Sequence, residues 1–149
     1  MTRFKRILHP SDFSRASSAA FAKALELAKD NRAELVVLHV FTLPLPIVAE
    51  DSYIPPDVYQ QIEISTRAWA TKRLDKLLAK AKQAGVRARV LLLEGTPHDR
   101  ILRAARSNRA DLIVIGTHGR TGLARLFLGS VAARVLSTAT CPVMTVRGR

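Results

Sequence analysis

Four glycines, a histidine, two arginines and a serine crowd one short stretch, GTHGRTGLARLFLGS, residues 116–130. It follows the apolar run ADLIVI and leads into VAARVLS, which has the pattern of a helix. Glycine loses more backbone entropy on folding than any other residue, so such a cluster marks a required backbone shape or a close approach. A turn that leaves a strand and ends at a helix start offers unpaired N–H groups and partial positive charge, a setting that favours phosphate. Ser130 adds a hydroxyl donor. The stretch therefore reads as an anion cradle. Its spacing separates it from two common ones. Walker A needs G-x4-G-K-[ST], and no lysine stands in that place; the dinucleotide fingerprint G-x-G-x-x-G follows a first strand. Here G-x2-G-x9-G-S follows the fourth.

Other residues with chemical potential have structural readings beside them. Asp12, in HPSDFS, can cap a first helix or meet a ligand. His118 lies between Gly116 and Gly119, near any ligand of the loop, but no carboxylate is close in sequence to make it a general base. Arg120 and Arg125 suit phosphate contact and solvated surface equally. His9 and His39 fall at strand ends, where packing or a polar terminus is expected, and His98 falls in a helix first turn. No H-x3-H or H-E-x2-H pattern occurs, which argues against a metal site built by the protein. Cys141 is the single cysteine, so the chain has no internal disulfide. Between STAT and PVMTV it suits a small core position. Trp69 suits core or interface.

The elements that must position these residues alternate. FKRILH (4–9), ELVVLHV (34–40), VRARVLLLEG (86–95), ADLIVIG (110–116) and PVMTVR (142–147) read as strands. The second is almost wholly apolar, as in a strand buried on both faces. Between them lie helical segments: 14–33, with Ser14 as N-cap and an apolar stripe through Ala20, Phe21, Ala24 and Ala28; 58–85, with Asp57 as cap and Gly85 as stop; 96–109, with Thr96, Pro97 and Asp99 as a start signal; and 130–140. Residues 41–56 hold four of the seven prolines and read as loop. This order predicts an α/β fold, a parallel sheet with helices on both faces, in one domain over 1–149.

The formal net charge is +12. Residues 87–149 carry 11 arginines, no lysine and three acids, so the bias concentrates in that half. It favours anionic partners without choosing among them. No apolar run approaches the roughly 18–20 residues of a membrane span, and the basic N-terminus has too short an apolar stretch for a signal peptide. The expectation is a cytoplasmic protein without membrane contact.

Gly116-Thr-His-Gly119, nine residues and Gly129-Ser130 together resemble the ATP-binding motif of the universal stress protein family. The resemblance extends through ILHPSDFSRAS at the start, GTPHDRILRAARSNRADLIVIGTHGRTGL in the middle and GSVAARVLSTATCPVMTVR at the end. It implies a Rossmann-like, adenine nucleotide alpha hydrolase-like sheet of five parallel strands in order 3-2-1-4-5. Pro10, Ser11 and Asp12 would then follow the first strand, with Asp12 at the adenosine end. Val40 would meet the adenine through its backbone. Ile115, Gly116, His118, Gly119 and Arg120 would line the path of the ribose and phosphates. Gly129, Ser130 and Val131 would hold phosphates. Ala132 offers no hydroxyl where some relatives place a threonine. The ligand is ATP or another adenine nucleotide, any Mg²⁺ arriving with it. The fifth strand would be a sheet edge, and Val143, Met144, Thr145 and Val146 would form a homodimer contact.

The function so implied is an ATP-binding regulatory or protective module of stress response, with an unidentified protein partner. The alternatives are a slow ATPase or autophosphorylating enzyme, for which no base stands out, and a basic nucleic-acid-associated protein. Nucleic acid is disfavoured, because the chain carries no helix-turn-helix, RRM or zinc signature and few aromatics for stacking.

Overall fold

The computed structural model describes residues 3–44, 53–117 and 128–148. Five strands, β1 (Arg6–Pro10), β2 (Glu34–Phe41), β3 (Ala88–Glu94), β4 (Leu112–Gly116) and β5 (Val143–Val146), alternate with helices α1 (Arg15–Asn31), α2 (Pro56–Gln83), α3 (Pro97–Ser107) and α4 (Ser130–Thr138). All pairings are parallel, in the order β3-β2-β1-β4-β5. The chain winds outward from β1 to β3, then returns to place β4 on the other side of β1. The strands that end side by side at this reversal are β1 and β4.

The central strands are apolar on both faces because each face carries its own core. Ile7, Leu35, Val37, Leu112 and Val114 point to the side covered by α1 and α2, where Phe21 and Leu74 meet them. Leu8, Val36, Leu38, Ile113 and Ile115 point to the other side, against Ile101 of α3 and Val135 of α4. Successive residues thus serve opposite cores, as the two-residue period of a strand demands. Helix α1 buries Ala16, Ala20, Ala24 and Ala28, a stripe of small side chains that lets its backbone approach the sheet closely. The approach is tightest at the end of β4: a Cβ on Gly116 would lie 2.8 Å from the Ala16 carbonyl carbon.

Helix ends follow the sequence reading with two differences. Ser14 caps α1, its side chain accepting from the Ser17 N–H. Helix α2 starts at Pro56, ahead of Asp57, which falls in the first turn. A proline tolerates this position because its missing N–H would have had no helical partner, and the Asp57 charge complements the helix dipole from within. Thr96 holds the N-cap place of α3 without a side-chain cap bond. Cys141 is half-buried against the α3–α4 core, and burial raises its thiol pKa. No helix among the described residues is long and apolar enough to cross a membrane.

Candidate functional site

Where β1 and β4 part, their carboxyl ends and that of β2 open on a cleft of about 290 Å³. Ligands of open parallel sheets bind at such a reversal point, and the volume is near the lower end of the roughly 300–1,000 Å³ usual for small-molecule sites.

One wall comes from β1 and the loop behind it, through Pro10, Ser11 and Asp12. This loop is held from several directions. The Ser11 N–H donates to the Leu38 carbonyl at 2.8 Å. Asp12 Oδ1 accepts from the Ser14 N–H at 2.9 Å and from the Ser17 hydroxyl at 2.6 Å. Asp12 therefore organises the start of α1 and lines the cleft at the same time. The two readings of this residue are compatible in space.

Behind the loop, on the α2 side, stands an aromatic stack. Phe13 has a left-handed backbone, φ +65°, uncommon for a side chain of its size. Its ring stacks on His39 at 4.5 Å and meets Trp69 edge-on at 5.4 Å. The Arg73 guanidinium lies 4.7 Å over the Trp69 ring. His39 Nδ1 donates to the Ser11 carbonyl at 2.7 Å, tying the stack to the cleft wall. One residue before Pro10, His9 is fully buried. Its Nδ1 donates to the Val114 carbonyl at 2.9 Å, and Nε2 is buried without a partner among the described residues. Burial lowers its pKa from 6.5 to about 4, against smaller opposing effects of that hydrogen bond and of Asp12. The imidazole is neutral at physiological pH.

The floor is apolar: Val40 of β2, Ile115 of β4 and Ile101 of α3 face the space. Opposite the Asp12 wall, Gly116, Gly129, Ser130 and Val131 line the cleft. Thr117 fastens this side, donating its N–H to the Val146 carbonyl and accepting from the Gly129 N–H. Gly129 is the N-cap of α4 and supplies no side chain to cap it. Among the described residues, no acceptor meets the N–H groups of Ser130, Val131 and Ala132. An unpaired first turn at a cleft is a seat for an anion.

Nine of the twelve residues singled out as nucleotide contacts thus meet at one cleft. The other three, His118, Gly119 and Arg120, lie outside the described residues, as does Arg125. Sequence reasoning missed Ser17, Leu38, Pro97, Ile101 and Thr117 as cleft residues. Leu38 carried a usable signal, since it shares the face of Val40 two residues on, and Ile101 follows Pro97 by one helical turn. Gly116 has a second reason to be glycine, the backbone of α1 at Ala16. His98 is half-buried beside Arg134 and lies outside the cleft.

Residues 3–147 match the model of the universal stress protein family. A universal stress protein of Methanocaldococcus jannaschii, MJ0531, is 36% identical over 146 residues, 97% of this chain and 82% of the relative. Among solved structures, universal stress protein UspA from Lactobacillus plantarum superposes with a TM-score of 0.85 at 26% identity, covering 99% of this chain and 100% of that one. A universal stress protein family protein from Arabidopsis thaliana with AMP bound gives 0.70 at 24% identity, over 97% and 92% of the two chains.

Proposed function

Because this chain belongs to the universal stress protein family, we propose that its cleft binds an adenine nucleotide, ATP foremost, and that nucleotide occupancy makes it a regulatory module of a stress response. The observation that carries this reading is the uncapped N-terminus of α4 opening on an apolar cleft. The two halves of the cleft suit the two halves of a nucleotide. Val40, Ile115 and Ile101 offer apolar surface to a base, with Asp12 at the adenosine end. The N–H groups of Ser130 and Val131, the approach left open by Gly129 and the Ser130 hydroxyl suit phosphates. His118, Gly119 and Arg120 would complete the phosphate path. Bound Mg²⁺ would neutralise part of the phosphate charge. The solved relative with AMP bound is consistent with this occupant.

Calorimetry tests the assignment. Gly129→Val should abolish ATP binding by closing the approach to the α4 amides. Ser130→Ala should weaken it by roughly 10- to 100-fold, the worth of about 1.5–3 kcal/mol for a hydrogen bond to a charged group. Asp12→Ala should weaken adenosine and ATP alike. Gly129→Val binding ATP as well as the parent would show that the cradle is elsewhere.

The same reading includes a homodimer through β5, which is an edge strand. Pro142 and Val146 turn their carbonyls to β4, accepting from Ile113 and Thr117. By alternation the N–H groups of Val143 and Thr145 point away from the sheet, free to pair with a second copy. Met144 and Val146 would pack beside them. Thr145→Pro removes one outward N–H and leaves the β4 ladder intact, so it should yield a monomer in sedimentation; an unchanged dimer would place the contact elsewhere.

A further inference from the structure

We propose that the amino end of the sheet, opposite the cleft, is a docking face for the phosphate backbone of a nucleic-acid duplex, bound without sequence preference. Parallel strands bring every segment that enters a strand to this one end. The Glu34 N–H donates to the Lys5 carbonyl, Leu35 to Arg87 and Asp111 to Arg6, at 2.9, 2.8 and 3.0 Å. The segments bearing Arg87, Arg32, Lys5 and Arg109 are thereby set side by side, in strand order. At about 4.8 Å per strand the row is roughly 15 Å long.

All four of these residues are exposed, and none of their side chains has a hydrogen bond or ion pair among the described residues. The carboxylates nearby are committed. Glu34 pairs with Arg6 at 3.0 Å and with Arg89 at 3.1 Å. Asp111 accepts the backbone N–H groups of Lys5 and Arg6 at 2.8 and 3.2 Å. Asp30 alone remains as an exposed acid at the end of α1. Helices α1, α2 and α3 also end here, and their partial negative charge is answered by Lys29, Lys80, Lys82 and Arg106 in their last turns. The four loop cations are in excess of both. Arg32 and Arg109 have φ of +52° and +53° just past helix ends, where glycine would be less strained.

The chemistry of the row selects the partner. Three of its four members are guanidinium groups, which pair with phosphate through two parallel hydrogen bonds. Among the described residues, the large apolar side chains that are exposed, Tyr53, Val58, Ile64, Trp69 and Leu136, precede or lie on α2 and α4 and not on this row, so the row lacks the insertion that a membrane surface rewards. It also lacks an exposed aromatic ring for stacking on single-stranded bases. What is left is a repeating array of phosphates, held by charge-assisted contacts without contact to the bases.

Fluorescence anisotropy with a mixed-sequence DNA duplex, titrated over salt concentration, tests this. Four phosphate contacts predict a slope of log K against log salt of roughly −3 to −4. The combined variant Lys5→Gln, Arg32→Gln, Arg87→Gln and Arg109→Gln should lower the affinity at least tenfold. Each single replacement should reduce the slope by about 1. A control variant, Lys23→Gln, Lys72→Gln, Lys76→Gln and Arg103→Gln, removes the same charge from elsewhere and should retain most of the binding; thermal melts verify that both fold. Equal loss in the control would overturn the proposal in favour of overall charge. Binding to phosphatidylserine vesicles as tight as to duplex, with the same dependence on the four residues, would overturn it in favour of a membrane surface.

Discussion

At the carboxyl end of the sheet, the described cleft walls carry the Asp12 carboxylate, hydroxyls, glycines and apolar side chains, with a neutral imidazole buried just behind Pro10. Among the described residues, its positive character comes from the uncapped backbone of α4. At the amino end, the helices present their negative termini, and positive character comes from side chains, Lys5, Arg32, Arg87 and Arg109. Dipolar backbone groups are fixed in direction and suit one small anion at close range. Exposed cations are screened within about 8–10 Å at ordinary salt and suit an extended polyanion. The two ends should therefore respond to different perturbants, acid at the cleft and salt at the opposite face.

The largest expected effect is the response of the cleft end to acid. His9 has a folded-state pKa near 4 against 6.5 when unfolded. Between these values the unfolded chain binds a proton that the folded chain refuses, so stability falls as pH drops. The contribution is complete above pH 6.5, is lost progressively on the way to pH 4, and amounts to about 3 kcal/mol at 1.36 kcal/mol per pH unit. Urea unfolding across this range should show the loss in the parent. His9→Gln should remove that part of the slope while retaining an amide donor for the Val114 carbonyl. Parallel pH profiles for parent and variant would mean that the imidazole accepts a proton in place.

A pair of glycines sharpens the comparison at intermediate size. Gly116, at the cleft, has the Ala16 backbone 2.8 Å from where a Cβ would sit. Gly85, at the amino end, has nothing within 4 Å and a φ of +77°. Gly116→Ala must push helix α1 away and should cost about 1–3 kcal/mol, as overpacking does. Gly85→Ala meets only the left-handed backbone and should cost about 1 kcal/mol. Chemical denaturation of the two variants orders them; a reversed order would mean that α1 yields readily at the cleft.

These two glycines also mark how far the sequence could be read. Gly85 was legible as a helix stop, because a left-handed turn is a local demand. Gly116 was legible only as part of a loop motif, because the neighbour that excludes a Cβ, Ala16, is a hundred residues away in the chain. The elements themselves were readable from the periodicity of apolar residues, whereas the strand order 3-2-1-4-5 rested on resemblance, since periodicity does not say which strands are neighbours. The cleft was readable where a motif was local, at Gly129-Ser130, and not where packing alone brings Ile101 and Leu38 together. The charge count by halves of the chain hid the basic face. Lys5, Arg32 and the helix-end lysines come from the less basic half, and only the parallel topology puts them beside Arg87 and Arg109.

The smallest expected effect uses the single tryptophan as a reporter. Among the described residues, Trp69 reaches the cleft wall through Phe13 and His39, and His39 holds the Ser11 carbonyl. Arg73 covers the outer side of the ring. An exposed cation over an aromatic face is worth about 0.5–1 kcal/mol, so Arg73→Ala should lower stability by no more than that while shifting the Trp69 emission. Arg87→Gln, at the other end, should leave the emission unchanged. If the nucleotide occupies the cleft, adding ATP should perturb Trp69 through the Ser11–Asp12 wall, whereas a duplex on the basic face should not. Emission that responds to the duplex and ignores ATP would reverse the assignment of the two ends, and emission insensitive to Arg73→Ala would show that the stack does not hold in solution.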